Sequence, residues 1–576
     1  MSKPLRSRLG LALVLLPVLG QFLVVGFLGV NTPAADEFAY VDFVHAVREG
    51  GPWLPMVWWQ HNEHRVVPVK LVMALLMPFT GWNLKAEMYV SAALAGLIVL
   101  GLWRLYRRAG GADLLLFAPV AWLVCNLAQY ENLLYGLLMC HYFTAAGTVW
   151  ALVFLARRDA AGLFLAVLCG LVASLSVLNG LLIWPLGLAL GLALGERPAR
   201  MIGWAGAGVA TFLLYFFDFQ RPPGLAAPHL QELPRAAKYA LTLLGAPLAA
   251  GSFAWSRTFG LALVCLMAAV VVRWLREGRE RLRGEAIPAA LILFGLLSCA
   301  MIAIGRAATL VTPLESRYVA YTSLAFVGAY LLAGLAAERR GAPFIGFSWF
   351  AATLALVATG VIAADLQGFH DAKLWQIARL RDQFLLQTYE RQPDEALGGS
   401  AFAAHLRATA PYLRTERLAA FAEPQRVLLL TRWQEREAAG PVAPGRSIEQ
   451  RLSCPVNVLR DAAVALSREA APDASNVSIS VWTSGRRLAA RDLPVTALAS
   501  GWVGWVEVPL PAPLYNCQGR VLTVRIESRD ATPATQITVW IYPSYYDGEL
   551  RQAGRSWSPD RSLGLSLNAF HFGLLR

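Results

Sequence analysis

Apolar runs of membrane-spanning length recur along this chain. Residues 9–30 read LGLALVLLPVLGQFLVVGFLGV, and further runs follow at 163–178, 289–304 and 347–364. A bilayer's hydrocarbon core is ~30 Å thick and takes ~20 residues of helix to cross. Inside it each backbone N–H and C=O must find a partner within the protein, which leaves the α-helix as the element for such runs. Only 15% of the 576 residues are charged, against about 25% in soluble domains, and the mean hydropathy is +0.47. The chain therefore reads as a polytopic α-helical membrane protein. The first run is too long for a signal-peptide core and meets NTPAADEF without a small-residue cleavage site, so an uncleaved first helix is expected.

The formal net charge of +13 does not indicate nucleic acid. The basic residues sit in short clusters between apolar runs: WRLYRR (103–108), ARR (156–158), ERPAR (196–200), WLREGRERLRG (274–284) and AERR (337–340). Short cationic loops stay on the cytoplasmic side. Threading the chain on that rule from a cytoplasmic N-terminus gives about 11 transmembrane helices, with every basic cluster inside. Residues 1–365 then form the membrane domain, with an external loop at 31–67. Everything after Asp365 falls outside, first as a polar helical linker over 366–424. From 425 to 576 come short alternating runs: QRVLLL, NVSISVWTS, WVGWVEVPL, RVLTVRIES and QITVWIYPS. Strands at that spacing predict an antiparallel β-sandwich, within an external α+β region. Five of the seven cysteines lie in or near apolar spans; the other two, Cys454 and Cys517, lie in the external region, where a disulfide between them is expected.

Ionisable residues collect at the external turns. Asp36 and Glu37 follow the first run, and WWQHNEHRVVP (58–68) places His61, Glu63, His64 and Arg65 within five positions. Phe38, Tyr40, Val41, Phe43, Val44 and Val47 recur near helical spacing, which predicts a short interfacial helix beginning at the acidic pair. Other external turns carry Glu131 and Asn132, Asn179, and Arg306, Glu315, Arg317 and Tyr318. Ionisable groups beside apolar spans point by default to function, and together these turns can line one outward-facing cavity. An anionic lipid head would sit against Arg306 or Arg317, whose rigid forks of donors suit phosphate. A carboxylate opposite could take a proton from an incoming hydroxyl. The plain alternatives are a helix cap at Asp36, solvated loop ends, and membrane-anchoring roles for Trp53, Trp58 and Trp59. HNEH does not have the H-E-x-x-H spacing of a zinc site; a helical turn bringing His61 and His64 to one face would suit hydrogen bonding to substrate or structure.

With the acidic pair ADEF after the first helix, an interfacial helix in that loop, many spans and a C-terminal external domain, the chain resembles the GT-C superfamily of membrane glycosyltransferases. Protein O-mannosyltransferases and cell-wall arabinofuranosyltransferases belong to it. The resemblance implies a polyprenyl-phosphate-linked sugar as donor, a glycan, lipid or protein as acceptor, inverting transfer, and residence in a bacterial inner (cytoplasmic) membrane with the C-terminal domain outside. It makes Asp36 the general base with Glu37 as neighbour or alternate, and leaves donor phosphate to Arg306, Arg317 and Tyr318 by the charge argument above. His61, Glu63, His64, Arg65, Glu131 and Asn132 are the further substrate-binding candidates. No cofactor is assigned; a divalent metal, Mg or Mn, would suit phosphate chemistry, and no residue is assigned to it. The strands would be a carbohydrate-binding module. Competing readings are a transporter or flippase for a lipid-linked solute, an O-antigen ligase or polymerase, and a non-enzymatic anchor. A transporter would carry mid-membrane charges and internal repeats, whereas here the charges stand at the outer edge and no repeat is evident.

Overall fold

The computed structural model describes residues 3–221, 232–307, 309, 311–339, 348–392, 394, 397–422, 437–441, 447–454, 458–468, 475–498, 504–515, 517, 520–528, 537–543, 548–552, 555–556, 561–563 and 565–568. Two compact units divide the chain, Met1–Val30 with Ala34–Gln376, and Asn31–Pro33 with Ile377–Arg576.

Among the described residues, nine helices are long and apolar enough to cross a membrane: Pro4–Leu28, Leu84–Arg108, Leu114–Leu134, Gly136–Leu155, Pro198–Phe216, Phe253–Glu277, Arg283–Arg306, Ser316–Glu338 and Ala351–Gln387. This is a multi-pass membrane protein. The count differs from eleven by two, because Ala160–Ser176 and Leu178–Leu194, expected as full spans, are apolar but shorter. A third short apolar helix, Val67–Thr80, ends at Gly81. That glycine caps Val67–Thr80 in the left-handed conformation (φ +60°), where a side chain would be strained. The expected boundary at 365 falls inside one continuous helix, Ser348–Gln387.

Burial sorts the spans. Gly136–Leu155 and Ser316–Glu338 bury 83% and 78% of their apolar windows, whereas Phe253–Glu277 and Pro198–Phe216 bury 17% and 22%. The first pair is central. The second exposes Leu275, Leu213 and Ile202, as helices facing lipid do. Leu114–Val124 ends at Cys125, and its freed backbone groups are met by side chains: Gln21 donates to the Cys125 carbonyl at 2.7 Å, and Asp365 accepts from the Leu127 amide at 2.7 Å. A helix break at membrane depth persists when neighbours satisfy it in this way.

The second unit opens with helical structure. Ser400–Thr415 buries Ala403, Leu406, Ala410 and Leu413 at i, i+3, i+7 and i+10, the stripe of an amphipathic helix. Its strands are β1 (Glu437–Pro441), β2 (Ile448–Ser453), β3 (Val458–Arg468), β4 (Asn476–Thr483), β5 (Arg486–Pro494), β6 (Gly504–Tyr515), β7 (Val521–Glu527), β8 (Ile537–Pro543), β9 (Gly548–Gln552), β10 (Arg555–Ser556), β11 (Arg561–Leu563) and β12 (Leu565–Asn568). They form two six-stranded antiparallel sheets. One runs β10-β9-β2-β7-β4-β5; the other runs β1-β8-β3-β12, with β11 on β8 and β6 on β3. Alternation explains the faces: Leu522, Val524 and Ile526 of β7 are buried, while Thr523, Arg525 and Glu527 between them are not. The buried residues of both sheets belong to one hydrophobic core, which includes Leu459 and Val464 of β3 and Ile479 and Val481 of β4. Cys454 and Cys517 are joined by a disulfide, with Cα atoms 5.7 Å apart, at the end of the β2–β7 ladder. The run QRVLLL lies outside the described residues.

Candidate functional site

The loop after the first helix contains three short helical pieces, the last of them Trp53–Val57. A 3₁₀ turn, Ala35–Tyr40, leads into the helix Val41–Arg48, which buries Val41, Phe43 and Val44. A short helix was expected here from the apolar spacing, and it begins one turn later than the acidic pair. The acidic pair divides at once. Asp36 leaves 53% of its side chain exposed, while Glu37 is 2% exposed. Glu37 accepts the Ala34 amide at 2.8 Å and the Leu137 amide at 3.0 Å. It therefore caps its own turn and ties it to the segment Gly136–Leu138. A Cβ on Gly136 would collide with Glu87 Oε2 and come within 3.1 Å of Glu37 Oε1, so only glycine lets the chain pass between these two carboxyls.

His61 to His64 is not the helical turn expected from the spacing. The two residues exchange backbone hydrogen bonds, His61 N to His64 O and His64 N to His61 O, both 2.8 Å. Asn62 stands at the tip in the left-handed region (φ +49°), which Asn tolerates better than most residues. Arg65 then turns away from the histidines. It is buried, with its guanidinium 4.8 Å from the Trp58 ring centroid, and donates to the carbonyls of Tyr215 and Phe217. Those carbonyls end the helix Pro198–Phe216 and have no intrahelical donor. Arg65 thus anchors the loop to a helix C-terminus.

A cavity of about 430 Å³ opens beside this turn. Asp36, His61, Glu63 and His64 form one wall, and Arg306, Arg317 and Tyr318 form another; Asn179 and Arg221 also contribute. Apolar side chains complete it, among them Leu137, Phe216, Phe219 and Met301. Gly180 lets Asn179 reach the cavity, because any Cβ there would collide with the Ala173 carbonyl. The structure brings together eight of the residues selected from sequence, drawn from the first loop, the turn at Asn179 and the segment 306–318. It separates the rest. Glu131 lies at a second cavity of about 210 Å³, with Glu315, Ser316 and Asp371. Its carboxylate accepts from the Ser316 hydroxyl at 2.8 Å. Asn132 donates to the Arg317 carbonyl at 3.0 Å, and so holds the backbone of a cavity residue without lining the cavity.

The charges are arranged in pairs. Arg306 donates to Glu63. Burial alone would raise the Glu63 carboxyl, but His64 and Arg306 outweigh it and hold it below its ordinary value. Burial pushes His64 down to about 4, so at neutral pH the Arg306 guanidinium carries that stabilisation. His64 Nδ1 accepts the Leu178 amide at 3.3 Å, as a neutral imidazole does. His61 is also lowered by burial, opposed by Asp36, whose Oδ2 lies 4.0 Å from Nε2. Arg317 stands 3.6 Å from Glu315 and 5.5 Å from the Tyr318 ring centroid. Its Nε is buried without a hydrogen-bond partner among the described residues. Arg306 and Arg317 each stand beside a carboxylate, Glu63 and Glu315, and both guanidiniums also line the cavity. The donor set does not fit a divalent cation: Glu63 is taken by Arg306, His64 Nδ1 is taken by an amide, and among the described residues no three His, Cys, Asp or Glu side chains converge.

Cavity residues that escape a sequence reading include Arg221, His141 and Tyr321, the last two within apolar helices. The available signal was an ionisable residue within an apolar run, MCHYFTAAG, a placement that usually marks function. Compared with models of protein families and with curated proteins, the sequence matches none.

Proposed function

We propose that this protein is a membrane glycosyltransferase of the GT-C kind, moving a sugar from a polyprenyl-phosphate donor to an acceptor hydroxyl at the outer face of the membrane. The observation that carries this reading is a single cavity with arginines on one wall, Asp36 on another and apolar side chains between them. A sugar, a phosphate and a lipid chain call for those three surfaces. In the inverting reaction the acceptor oxygen loses its proton to Asp36 and attacks the anomeric carbon. The bond from that carbon to the phosphate oxygen breaks, and its electron pair leaves on the phosphate, facing Arg306 and Arg317. Donors fixed where charge develops stabilise such a step in proportion to their preorganisation. His61, within 4.0 Å of Asp36, orients the base, and Glu63 orients Arg306. Only one carboxylate is needed as base, which agrees with Glu37 being committed to two backbone amides.

The basic clusters give the orientation of this reading: N-terminus cytoplasmic, cavity at the opposite face, and the two sheets outside as a sandwich that contacts glycan. The acceptor class remains a glycan, lipid or protein. Mass spectrometry of lipids retained by gently solubilised protein tests the proposal, with wild type beside Arg306→Ala/Arg317→Ala. A polyprenyl phosphate held by the wild type and lost from the variant is the expected result. A pyrophosphate-linked oligosaccharide would assign the site to a ligase or polymerase instead, and bulk phospholipid alone in both samples would overturn the donor assignment.

A further inference from the structure

His141 is 6% exposed and Tyr321 is 1% exposed, yet both reach the cavity wall. His141 Nδ1 lies 2.5 Å from the Tyr321 hydroxyl. The contact has two arrangements, set by the imidazole tautomer; in the one taken here the Tyr321 hydroxyl donates and Nδ1 accepts. A neutral imidazole whose Nδ1 is an acceptor carries its proton on Nε2. Among the described residues Nε2 has no hydrogen-bond partner. It is the polar atom that the buried ring leaves for the cavity. The ring lies edge-on to Tyr318 at 6.5 Å, and Tyr318 in turn carries the Arg317 guanidinium at 5.5 Å. An N–H, a phenol and a guanidinium therefore adjoin on one side of the cavity, with Asp36 and Glu63 on the wall formed by the 61–64 turn.

Resting on the lipid-phosphate reading above, we infer that His141 is a substrate-binding residue: a neutral hydrogen-bond donor, fixed as the Nε2–H tautomer by Tyr321, that contacts the donor phosphate beside Arg317. This role differs from that of a base, which needs a free lone pair, and from that of a metal ligand, which needs an unprotonated nitrogen toward the metal. A donor held in a dry wall adds specificity because its hydrogen bond is lost outright when the ligand offers no acceptor.

The two amide substitutions separate the nitrogens. Gln places its NH₂ near the position of Nε2, whereas Asn places it near Nδ1. Binding of farnesyl phosphate to the purified full chain in detergent is the readout, followed by tryptophan fluorescence. His141→Gln is expected to keep the affinity within about threefold, and His141→Asn to lose about tenfold or more, as expected for a hydrogen bond to a charged group. Tyr321→Phe, which unlocks the tautomer while keeping the ring, should fall between them. Equal losses in the Gln and Asn variants would overturn the His141 assignment and leave the lipid-phosphate reading standing. No binding of farnesyl phosphate by the wild type would overturn both. Should the Asn variant fail to fold, ¹⁵N-histidine spectra of the wild type, with His141→Gln identifying the resonance, read the tautomer directly. An Nδ1–H signal would refute the proposal.

Discussion

Arg306 donates to the Glu63 carboxylate across 243 residues of sequence, closing one end of a cavity between the first loop and the Arg283–Arg306 span. Both side chains are largely buried, with 29% and 16% exposed. Removing one partner from such a pair leaves the other charge without compensation. Arg306→Ala should therefore destabilise the protein by roughly 1–3 kcal/mol, and Glu63→Gln/Arg306→Ala should recover much of that loss. Thermal midpoints of both variants in detergent measure the coupling. Additive losses would mean that the pair contributes nothing as a unit. Farnesyl phosphate affinity should move differently: weaker with Arg306→Ala, unchanged or tighter with Glu63→Gln, which frees the guanidinium.

Asp36 and Glu37 are neighbours with opposite exposures, and their amide variants should fail in opposite ways. Asp36→Asn is expected to remove sugar transfer, measured with radiolabelled donor in membrane vesicles, while leaving the thermal midpoint within a degree or two. Glu37→Gln replaces an acceptor of two buried amides with a group that can satisfy only one of them through its oxygen. It should lower stability by about 1–3 kcal/mol. Transfer that survives Asp36→Asn within a few-fold would remove it as the base.

Gly136→Ala probes the passage between two buried carboxyls. The added Cβ collides with Glu87 on one side and approaches Glu37 on the other. Overpacking of this kind costs typically 1–3 kcal/mol. Loss of the Leu137 amide from Glu37 would add to that. Wild-type stability in the alanine variant would show that the two carboxyls can separate freely.

Much of this architecture was legible in the chain. Spans announce themselves because lipid forces them to be uniformly apolar, and β4 and β7 because period-two alternation survives in NVSISVWTS and RVLTVRIES. The cavity was legible where polar residues broke the apolar pattern at turns, as at Asp36, Glu63 and Arg306. Direction was not legible. Arg65 is adjacent to His64 in sequence but serves a helix C-terminus, and whether a loop arginine faces a ligand or a carbonyl depends on backbone torsions that composition does not encode. Nor does helical spacing distinguish the His61–His64 β-turn from a helical one. His141 was hidden for the converse reason: one ionisable residue among thirteen buried positions of its helix carries no periodic signal.

Reduction of the Cys454–Cys517 disulfide should act on the second unit. The bond closes 63 residues of chain, and loop-closure entropy puts its contribution at about 2–4 kcal/mol. Cys454→Ser should lower the unfolding midpoint of the sheets and hasten proteolysis there. Farnesyl phosphate binding should be unaffected, since the described residues that line the cavity all belong to the first unit. A parallel loss of binding would tie the sheets to the site.

Acid should loosen the cavity before it affects the rest of the protein. The folded value for His64 is about 4, against 6.5 for an unburied imidazole. Between those values the unfolded chain binds more protons than the folded one, so stability rises with pH through this window. The contribution is complete above pH 6.5 and is lost as pH falls toward 4. His61, lowered in the same direction, adds to the slope. The structural consequence is specific: a protonated His64 can no longer accept the Leu178 amide at Nδ1, which detaches the turn from the Val177–Asn179 wall. His64→Asn places its amide oxygen near the position of Nδ1 and cannot titrate, so its thermal midpoint should vary less between pH 7 and pH 4.5 than that of the wild type. Identical pH profiles for the two proteins would show that His64 does not carry the acid sensitivity of the cavity.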